Sequence, residues 1–219
     1  MQLPSFKSQQ LFEQAFTHRS YLNEAKNLHE SNERLEFLGD SILSFVVSNY
    51  FYRKYTSFDE GTLTNLRSQL VNTKSLAEVA SSLEFGKLLK LSKGEEESNG
   101  RENQSLLADS YEAFIGALFI DQGLQIASDF ITQTLLPKAE EIVRKKDFKD
   151  PKSLLQEYAQ ATAHTAPYYV VLLEEGPSHA KQFTVGVYIQ KQLLGQGIGK
   201  SKQNAEEIAA KEALEKIGK

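Results

Sequence analysis

The stretch SNERLEFLGDS, residues 31–41, opens the helix around which the first part of the chain is organised. Its acidic residues Glu33, Glu36 and Asp40 stand at i, i+3 and i+7. At 100° per residue, these three carboxylates lie on one face of a helix. Like charges at this spacing cost roughly a few tenths of a kcal/mol per pair, so the stripe is unfavourable unless a cation neutralises it.

The helical periodicity extends outward from this stretch. Apolar residues recur every three or four positions over residues 35–46, 63–70, 76–83 and 106–119. That spacing is typical of amphipathic helices and differs from the alternation of a half-buried strand. Residues 1–147 are therefore predicted to form an all-α domain.

Two segments interrupt the helical pattern. Residues 55–61 lack the period and are predicted to connect two helices. Residues 91–103, LSKGEEESNGREN, are rich in Gly, Ser, Asn and Glu, which is a composition typical of loops. We expect this second segment to be an exposed, mobile loop.

The pattern changes after a charged run, RKKDFKDP at residues 144–151, which ends in a proline that resists helix continuation. We place a domain boundary there and expect a second domain over residues 150–219. Helical patterns follow at residues 152–162 and 202–217, and strand patterns lie between them at residues 167–175, 183–190 and 191–199. The second domain is thus predicted to be α+β, in the order α-β-β-β-α, with Ile208 and Leu214 on the buried face of its last helix.

Composition excludes several classes of protein. The 219 residues carry a formal net charge of −4, which argues against a protein that coats nucleic acid by bulk positive charge. The absence of Cys excludes disulfides, thiolate nucleophiles and zinc fingers. No apolar run approaches the roughly 20 residues that span a bilayer, and the N-terminus lacks the pattern of a signal peptide. We therefore expect a cytoplasmic protein with no membrane partner.

A second acidic pair, Asp109 and Glu112, lies within LLADSYEAFIGALF, an otherwise strongly apolar helix. If this helix lies beside the first, its pair converges with Glu36 and Asp40. Four carboxylates of this kind suit Mg²⁺ or Mn²⁺ with several waters retained, and such a site supports phosphoryl transfer without His or Cys. Acidic pairs on helices are also common as solvated surface with ordinary salt bridges, and that reading stays open.

Three strings in the first domain are NERLEFLGD (residues 32–40), DEG with the following LTNLRSQLVN (59–61 and 63–72) and LLADSYEAFIGALFID (106–121). Together they resemble the bacterial ribonuclease III family. The tail resembles a double-stranded-RNA-binding domain through DPKSLLQEY from Asp150, GPSHAKQF from Gly176 and GIGKSKQNAEEIAAKEAL from Gly197. The resemblance covers nearly the whole chain and implies a multidomain protein, with an all-α endonuclease domain followed by an α+β RNA-binding domain.

The resemblance assigns a role to each of the four carboxylates. Glu36, Asp40, Asp109 and Glu112 match the residues that bind the catalytic Mg²⁺, for which Mn²⁺ can substitute. Asp40 and Glu112 match the two that lie closest to the chemistry. No departure from the family pattern occurs at these positions, so the resemblance implies an active enzyme.

Three further residues of the first domain take roles from the resemblance. Glu33 and Glu60 match secondary acidic residues that support the site or position the RNA. Phe37 resembles an aromatic knob that enters a pocket of the partner subunit, so a homodimer is implied. From the residues alone, Phe37 would be an ordinary core residue of its helix.

The resemblance also implies contacts to double-stranded RNA, which is read by shape through minor-groove 2′-hydroxyls and phosphates across the major groove. The expected contacts are Gln156 and Glu157 in one minor groove, His179 in the next, and Lys200, Ser201 and Lys202 at the phosphate backbone. The family usually carries a basic run at this last position, whereas Gln203 and Asn204 follow Lys202 here. We therefore expect fewer phosphate contacts and a shallower dependence of RNA binding on salt.

The function implied by the resemblance is cleavage of double-stranded RNA to products with 5′-phosphate, 3′-hydroxyl and two-nucleotide 3′ overhangs. Precursors of ribosomal RNA and other structured RNAs are the expected substrates. One alternative is an RNA-binding regulator whose helical domain only dimerises. Another is a helical nucleotide pyrophosphohydrolase, which also uses carboxylates and Mg²⁺ but leaves the tail unexplained.

Overall fold

The chain forms two compact units, residues 1–148 and 149–219. The computed structural model describes residues 3–25, 30–145, 151–177 and 181–218. Each unit has a hydrophobic core of its own. The division between the units falls inside the charged run in which the sequence places the domain boundary, and residues 146–150 of that run lie outside the described residues.

The first unit is helical, as predicted. Its helices are α1 (Gln9–Ala15), α2 (Glu33–Lys54), α3 (Glu60–Leu70), α4 (Thr73–Ser82), α5 (Phe85–Leu88), α6 (Lys93–Glu97), α7 (Gln104–Gln122), α8 (Leu124–Thr134) and α9 (Leu136–Lys145). Short 3-10 turns occupy Arg19–Asn23 and Gly100–Glu102. The connection predicted at residues 55–61 is found between α2 and α3, although α3 begins within it at Glu60.

Helix α7 lies at the centre of the first unit. Its residues Tyr111, Phe114 and Leu118 are fully buried. The ring of Phe114 lies 5.2 Å from that of Phe85 and 5.0 Å from that of Phe130, in tilted arrangements that favour aromatic packing. Because α7 is surrounded by core residues, a charged side chain on it can remain ionised only where a neighbouring helix leaves it exposed or where a partner charge compensates it.

Most of residues 91–103 are exposed, as predicted, but the prediction that they form a loop is wrong. The segment folds into α6 and a 3-10 turn, and Leu91 is buried. Arg101 fixes the segment, because its Nη1 donates hydrogen bonds of 2.8 Å to the carbonyl oxygens of Gly86 and Leu89. The Gly, Ser and Asn residues of this segment therefore form helix caps and short turns. The sequence pattern does not reveal which carbonyl oxygens accept hydrogen bonds from Arg101.

The second unit has the predicted order α-β-β-β-α. Its elements are α10 (Pro151–Ala163), β1 (Tyr168–Glu175), β2 (Gln182–Ile189), β3 (Gln192–Gly199) and α11 (Lys202–Lys216). The strands form an antiparallel sheet in the order β1-β2-β3. The core joins Leu155 of α10 to Val187 of β2 and to Ala209 of α11, so both helices cover one face of the sheet.

Small residues bring α11 directly onto β3. A methyl group added at Gly197 would lie 2.2 Å from the carbonyl oxygen of Ala205, so only glycine fits at this contact. Ala205 and Ala209 therefore face the sheet. The prediction that Ile208 lies on the buried face is wrong, because its side chain is 40% exposed, although its Cβ lies beside Gly197 at the contact with β3.

The described helices are all too short or too polar to cross a membrane.

Candidate metal centre and RNA-binding surface

Helices α2 and α7 cross with their backbones in contact, because each carries a glycine at the crossing, Gly39 on α2 and Gly116 on α7. Glu36 lies one turn before Gly39. Asp109 and Glu112 lie in the two turns before Gly116. The crossing therefore brings acidic side chains from distant parts of the sequence to the same place.

Three of the four predicted ligands meet at this crossing. Carboxylate oxygens of Glu36, Asp109 and Glu112 all lie within 4.8 Å of one another, and each side chain is half-buried. We call these three residues the carboxylate cluster. Asp40 lies on the same face of α2 but outside the cluster, at an exposed position one turn beyond Glu36. Its charge still reaches the cluster, because it helps to raise the pKa of Glu112.

Burial and mutual repulsion make the cluster costly in the absence of a cation. Burial, followed by the charges of Asp40, Glu36 and Asp109, raises the pKa of Glu112 to about 8. Burial and the charge of Asp109 also raise the pKa of Glu36. In the described part of the chain, no Lys or Arg forms an ion pair with any of the three cluster residues.

The donor set of the cluster fits a divalent cation. It offers only carboxylate oxygens, which are the ligands that hard cations prefer. Repulsion among the carboxylates helps to raise their pKa values. A bound cation would relieve that repulsion, because an opposite charge favours the ionised carboxylates. The partial exposure of all three side chains leaves room for water or a phosphate oxygen to complete the coordination.

The two supporting acidic residues are not part of the carboxylate cluster, although the charge of Glu33 helps to raise the pKa of Glu36. The carboxylate of Glu33 already accepts hydrogen bonds from Ser31 Oγ at 2.8 Å and from Arg19 at 3.2 Å. Glu60 is the exposed first residue of α3 and accepts a hydrogen bond from Thr64. It lines a cavity of about 580 Å³ between α2 and α3, to which no cluster residue contributes. Their proposed support of the site therefore stays a prediction.

Phe37 is not a core residue. Its side chain is 79% exposed on α2, although the residues on either side of it in sequence, Glu36 and Leu38, are partly buried. Phe45 and Tyr52 of the same helix are also exposed, at 57% and 74%. At 100° per residue these three aromatic side chains fall within about 80° of arc. The exposed face of α2 is therefore an aromatic stripe.

The predicted RNA-binding residues of the second unit are exposed where the structure describes them. Gln156 and Glu157 lie on the exposed face of α10. Lys200, Ser201 and Lys202 lie at the start of α11, where Ser201 caps the helix by accepting a hydrogen bond from the Asn204 backbone at 3.1 Å. His179 lies outside the described residues.

Comparison with known proteins matches both units. Residues 8–139 match the family model described as ribonuclease-III-like, and residues 151–217 match the double-stranded RNA binding motif. Ribonuclease 3 of Streptococcus gordonii is 46% identical over 215 residues, which cover 96% of this chain and 91% of that protein. The chain belongs to the ribonuclease III family. Ribonuclease 3 of Geobacillus thermodenitrificans is also 46% identical, over 97% of this chain and 87% of that protein.

Two solved structures are similar to this chain, one over the first unit and one over nearly its whole length. The nuclease domain of ribonuclease III from Campylobacter jejuni is 39% identical, with a TM-score of 0.57 over 61% of this chain and 90% of that chain. Dicer from Pichia stipitis is 33% identical, with a TM-score of 0.52 over 98% of this chain and 97% of that chain. The fold class predicted from the sequence is thus confirmed for this ribonuclease III family member.

One residue near the cluster was missed by the sequence analysis. Burial raises the pKa of Asp109, and the nearby imidazole of His18 opposes that increase. Nδ1 of His18 accepts a hydrogen bond of 3.3 Å from the backbone N–H of Ser20, which fixes the ring at the start of a 3-10 turn. Because His18 precedes Asp109 by more than 90 residues and belongs to no periodic pattern, only the folded chain reveals that they are neighbours.

Proposed function

We propose that the chain is a Mg²⁺-dependent endonuclease that cleaves double-stranded RNA and leaves 5′-phosphate and 3′-hydroxyl ends with two-nucleotide 3′ overhangs. The observation that carries the proposal is the carboxylate cluster of Glu36, Asp109 and Glu112, in a chain that also carries a double-stranded RNA binding motif. Precursors of ribosomal RNA and other structured RNAs in the cytoplasm are the proposed substrates.

The four carboxylates are proposed to share the binding of the cation. Glu36, Asp109 and Glu112 would hold Mg²⁺, which supplies positive charge to stabilise the phosphodiester during an in-line displacement. Asp40 is proposed as the fourth ligand, which together with Glu112 lies closest to the reacting phosphate; after burial, its charge is the largest of those that raise the pKa of Glu112. Hydrolysis forms a bond from the water oxygen to phosphorus and breaks the bond from phosphorus to the 3′ oxygen, which takes a proton.

The second unit supports docking of the duplex rather than its chemistry. Lys200 and Lys202 add side-chain cations to the positive end of the α11 dipole, where a phosphate backbone is stabilised. The Nζ of Lys202 also lies 5.7 Å from the centre of the Phe183 ring, so the ring contact holds that ammonium near the helix start. Gln156 and Glu157 on α10 are proposed to enter a minor groove.

A homodimer is supported by the aromatic stripe on α2. In a twofold dimer the same surface of both copies must be self-complementary. If the two α2 helices run antiparallel about an axis near Phe45, Phe37 of one copy meets the segment around Tyr52 of the other. Tyr52 lines the cavity of about 580 Å³ between α2 and α3, which has room for a phenyl ring. We therefore propose that Phe37 enters this cavity in the partner subunit.

Incubation of a labelled RNA hairpin with the full chain, with and without Mg²⁺, tests the function. We expect cleavage only with Mg²⁺, and products whose ends are 5′-phosphate and 3′-hydroxyl. The Glu112→Gln variant should bind the hairpin but leave it intact. Binding of the hairpin by the unmodified chain without any cleavage in Mg²⁺ would support the RNA-binding regulator instead.

A further inference from the structure

The crossing of α2 and α7 is unusually close. A methyl group added at Gly39 would lie 1.8 Å from the carbonyl oxygen of Glu112. One added at Gly116 would lie 2.1 Å from the carbonyl oxygen of Leu35. Since real Cβ atoms essentially never approach another atom within 3.0 Å, any side chain at either glycine must push the two helices apart.

The atoms that block a methyl group at this crossing belong to the backbone. A flexible side chain could turn away from an added methyl group, but a carbonyl oxygen inside a helix is held by its own hydrogen bond and moves only with the helix. Extending the contact at Gly116 from 2.1 to 3.0 Å requires about 0.9 Å of separation. The separation must be taken up by α2 and α7 as whole helices.

The separation of the two helices sets the size of the carboxylate cluster. Glu36 comes from α2, whereas Asp109 and Glu112 come from α7. The backbone carbonyl of Glu112 is itself the group that covers Gly39, so the glycine contact and a cluster residue share one turn of α7. A change in helix spacing at the glycines is therefore passed directly to the distance between the carboxylate of Glu36 and the other two.

Divalent cations differ in size by an amount smaller than this displacement. Mg²⁺ binds oxygen at about 2.0–2.1 Å in near-octahedral geometry, whereas Ca²⁺ binds at about 2.3–2.6 Å with a larger and more flexible set of ligands. Moving one helix by about 0.9 Å changes the space between the carboxylates by more than the difference between these two bond lengths.

We propose that Gly39 and Gly116 are positioning residues that hold α2 and α7 at the spacing that suits Mg²⁺ and disfavours the larger Ca²⁺. Neither glycine offers a ligand atom, so both act through the distance between Glu36 and the carboxylates of α7. The proposal rests on the proposed function, because it takes the carboxylate cluster to be a cation site.

The test compares cation affinities of the full chain and of the Gly116→Ala variant. Dissociation constants for Mg²⁺ and Ca²⁺ are measured by calorimetry, with the Glu112→Gln variant as the baseline for binding elsewhere. We expect Gly116→Ala to weaken Mg²⁺ binding by about tenfold and Ca²⁺ binding by less than about threefold, because the wider cluster still accommodates the larger ion.

The Gly86→Ala variant is the matched control. A methyl group at Gly86 would lie 2.3 Å from the carbonyl oxygen of Arg101, so the steric conflict is similar, but this contact joins α5 to the turn before α7. Gly86→Ala should lower the melting temperature and leave the ratio of Ca²⁺ to Mg²⁺ affinity unchanged. Gly86→Ala thus shows what destabilisation alone does to cation binding when the spacing of α2 and α7 is kept. Only Gly116→Ala is expected to change the ratio of Ca²⁺ to Mg²⁺ affinity.

The outcomes separate the two proposals. An unmodified chain that binds no divalent cation overturns both the proposed function and this inference. An unmodified chain that binds Mg²⁺, together with a folded Gly116→Ala variant of unchanged Ca²⁺ to Mg²⁺ ratio, overturns this inference alone. If Gly116→Ala does not fold, the unmodified chain is titrated with Mn²⁺, Ca²⁺ and Sr²⁺. A spacing fixed by the glycines requires a steady loss of affinity with ion size, and equal affinities reject it.

Discussion

The Glu112→Gln substitution should stabilise the metal-free chain at alkaline pH. The pKa of Glu112 is about 8 in the folded chain against an ordinary value of 4.5. The folded chain therefore binds this proton more tightly than the unfolded chain. The contribution of protonated Glu112 to the free energy of unfolding is greatest below about pH 4.5 and is lost as the pH rises towards 8. Gln has nearly the same shape as protonated Glu and does not ionise, so the variant escapes this loss.

The size of the effect follows from the two pKa values. The difference between 4.5 and about 8 corresponds to about 5 kcal/mol without solvent screening. Because the side chain is only half-buried and solvent screens its charge, we discount this to about 2 kcal/mol. In a helical unit of this size, a change of about 2 kcal/mol in the free energy of unfolding moves the melting temperature by roughly 5 °C.

The assay is thermal unfolding of the metal-free full chain and of the Glu112→Gln variant between pH 5 and pH 8. Their melting temperatures should differ little at pH 5, and the variant should melt roughly 5 °C higher at pH 8. Addition of Mg²⁺ at pH 8 should raise the melting temperature of the unmodified chain and leave that of the variant nearly unchanged. A difference that stays constant with pH, or an equal response of both proteins to Mg²⁺, would refute the reasoning.

Three other variants test the dimer, the RNA-binding surface and the segment before α7. Phe37→Ala should shift sedimentation towards the monomer, and an unchanged dimer would exclude the aromatic stripe as the interface. The Lys200→Ala, Lys202→Ala double variant should reduce the slope of log RNA affinity against log salt concentration by the equivalent of about two phosphate contacts. Lys211→Ala, on the exposed face of α11, should leave that slope unchanged. Arg101→Ala should destabilise the chain by about 2 kcal/mol in denaturant titration, because two carbonyl oxygens lose their donor.

The helical period was sufficient to predict which carboxylates share a face, but not how far apart they lie. Glu36 and Asp40 fall on one side of α2, as the spacing requires. Four residues along a helix also mean about 6 Å along its axis, so a single crossing helix cannot approach both equally. The crossing point lies at Gly39, and it brings Glu36 within 4.8 Å of both α7 carboxylates, whereas Asp40 is not part of that group of three and acts mainly through its charge on Glu112.

The change of period after residue 150 was sufficient to predict the order of elements in the second unit, because strands and helices bury residues at different spacings. Within α11 the same reasoning failed for Ile208. Apolar character placed it in the core, but the closest contacts with Gly197 come from backbone atoms of Ala205 and Ala209, and the neighbouring Ile208 side chain is 40% exposed. Periodicity alone carries no information on how closely the helix backbone approaches the sheet.

The relation between His18 and Asp109 had no signal in the sequence. Local patterns describe neighbours within one or two turns, whereas the imidazole of His18 comes within electrostatic range of Asp109 only in the folded chain. Arg101 is a similar example, since the carbonyls that it satisfies are exposed only at the end of α5. Contacts of this kind depend on the packing of several elements and are determined only in the folded chain.

The most direct test of the account is a crystal of the full chain grown with Mn²⁺, in which the ion is located by its anomalous scattering. We predict one strong peak within bonding distance of carboxylate oxygens from Glu36 on α2 and from Glu112 on α7. A well-ordered site without such a peak, or manganese bound elsewhere while these two carboxylates point apart, would contradict the claim that the two helices build a cation site.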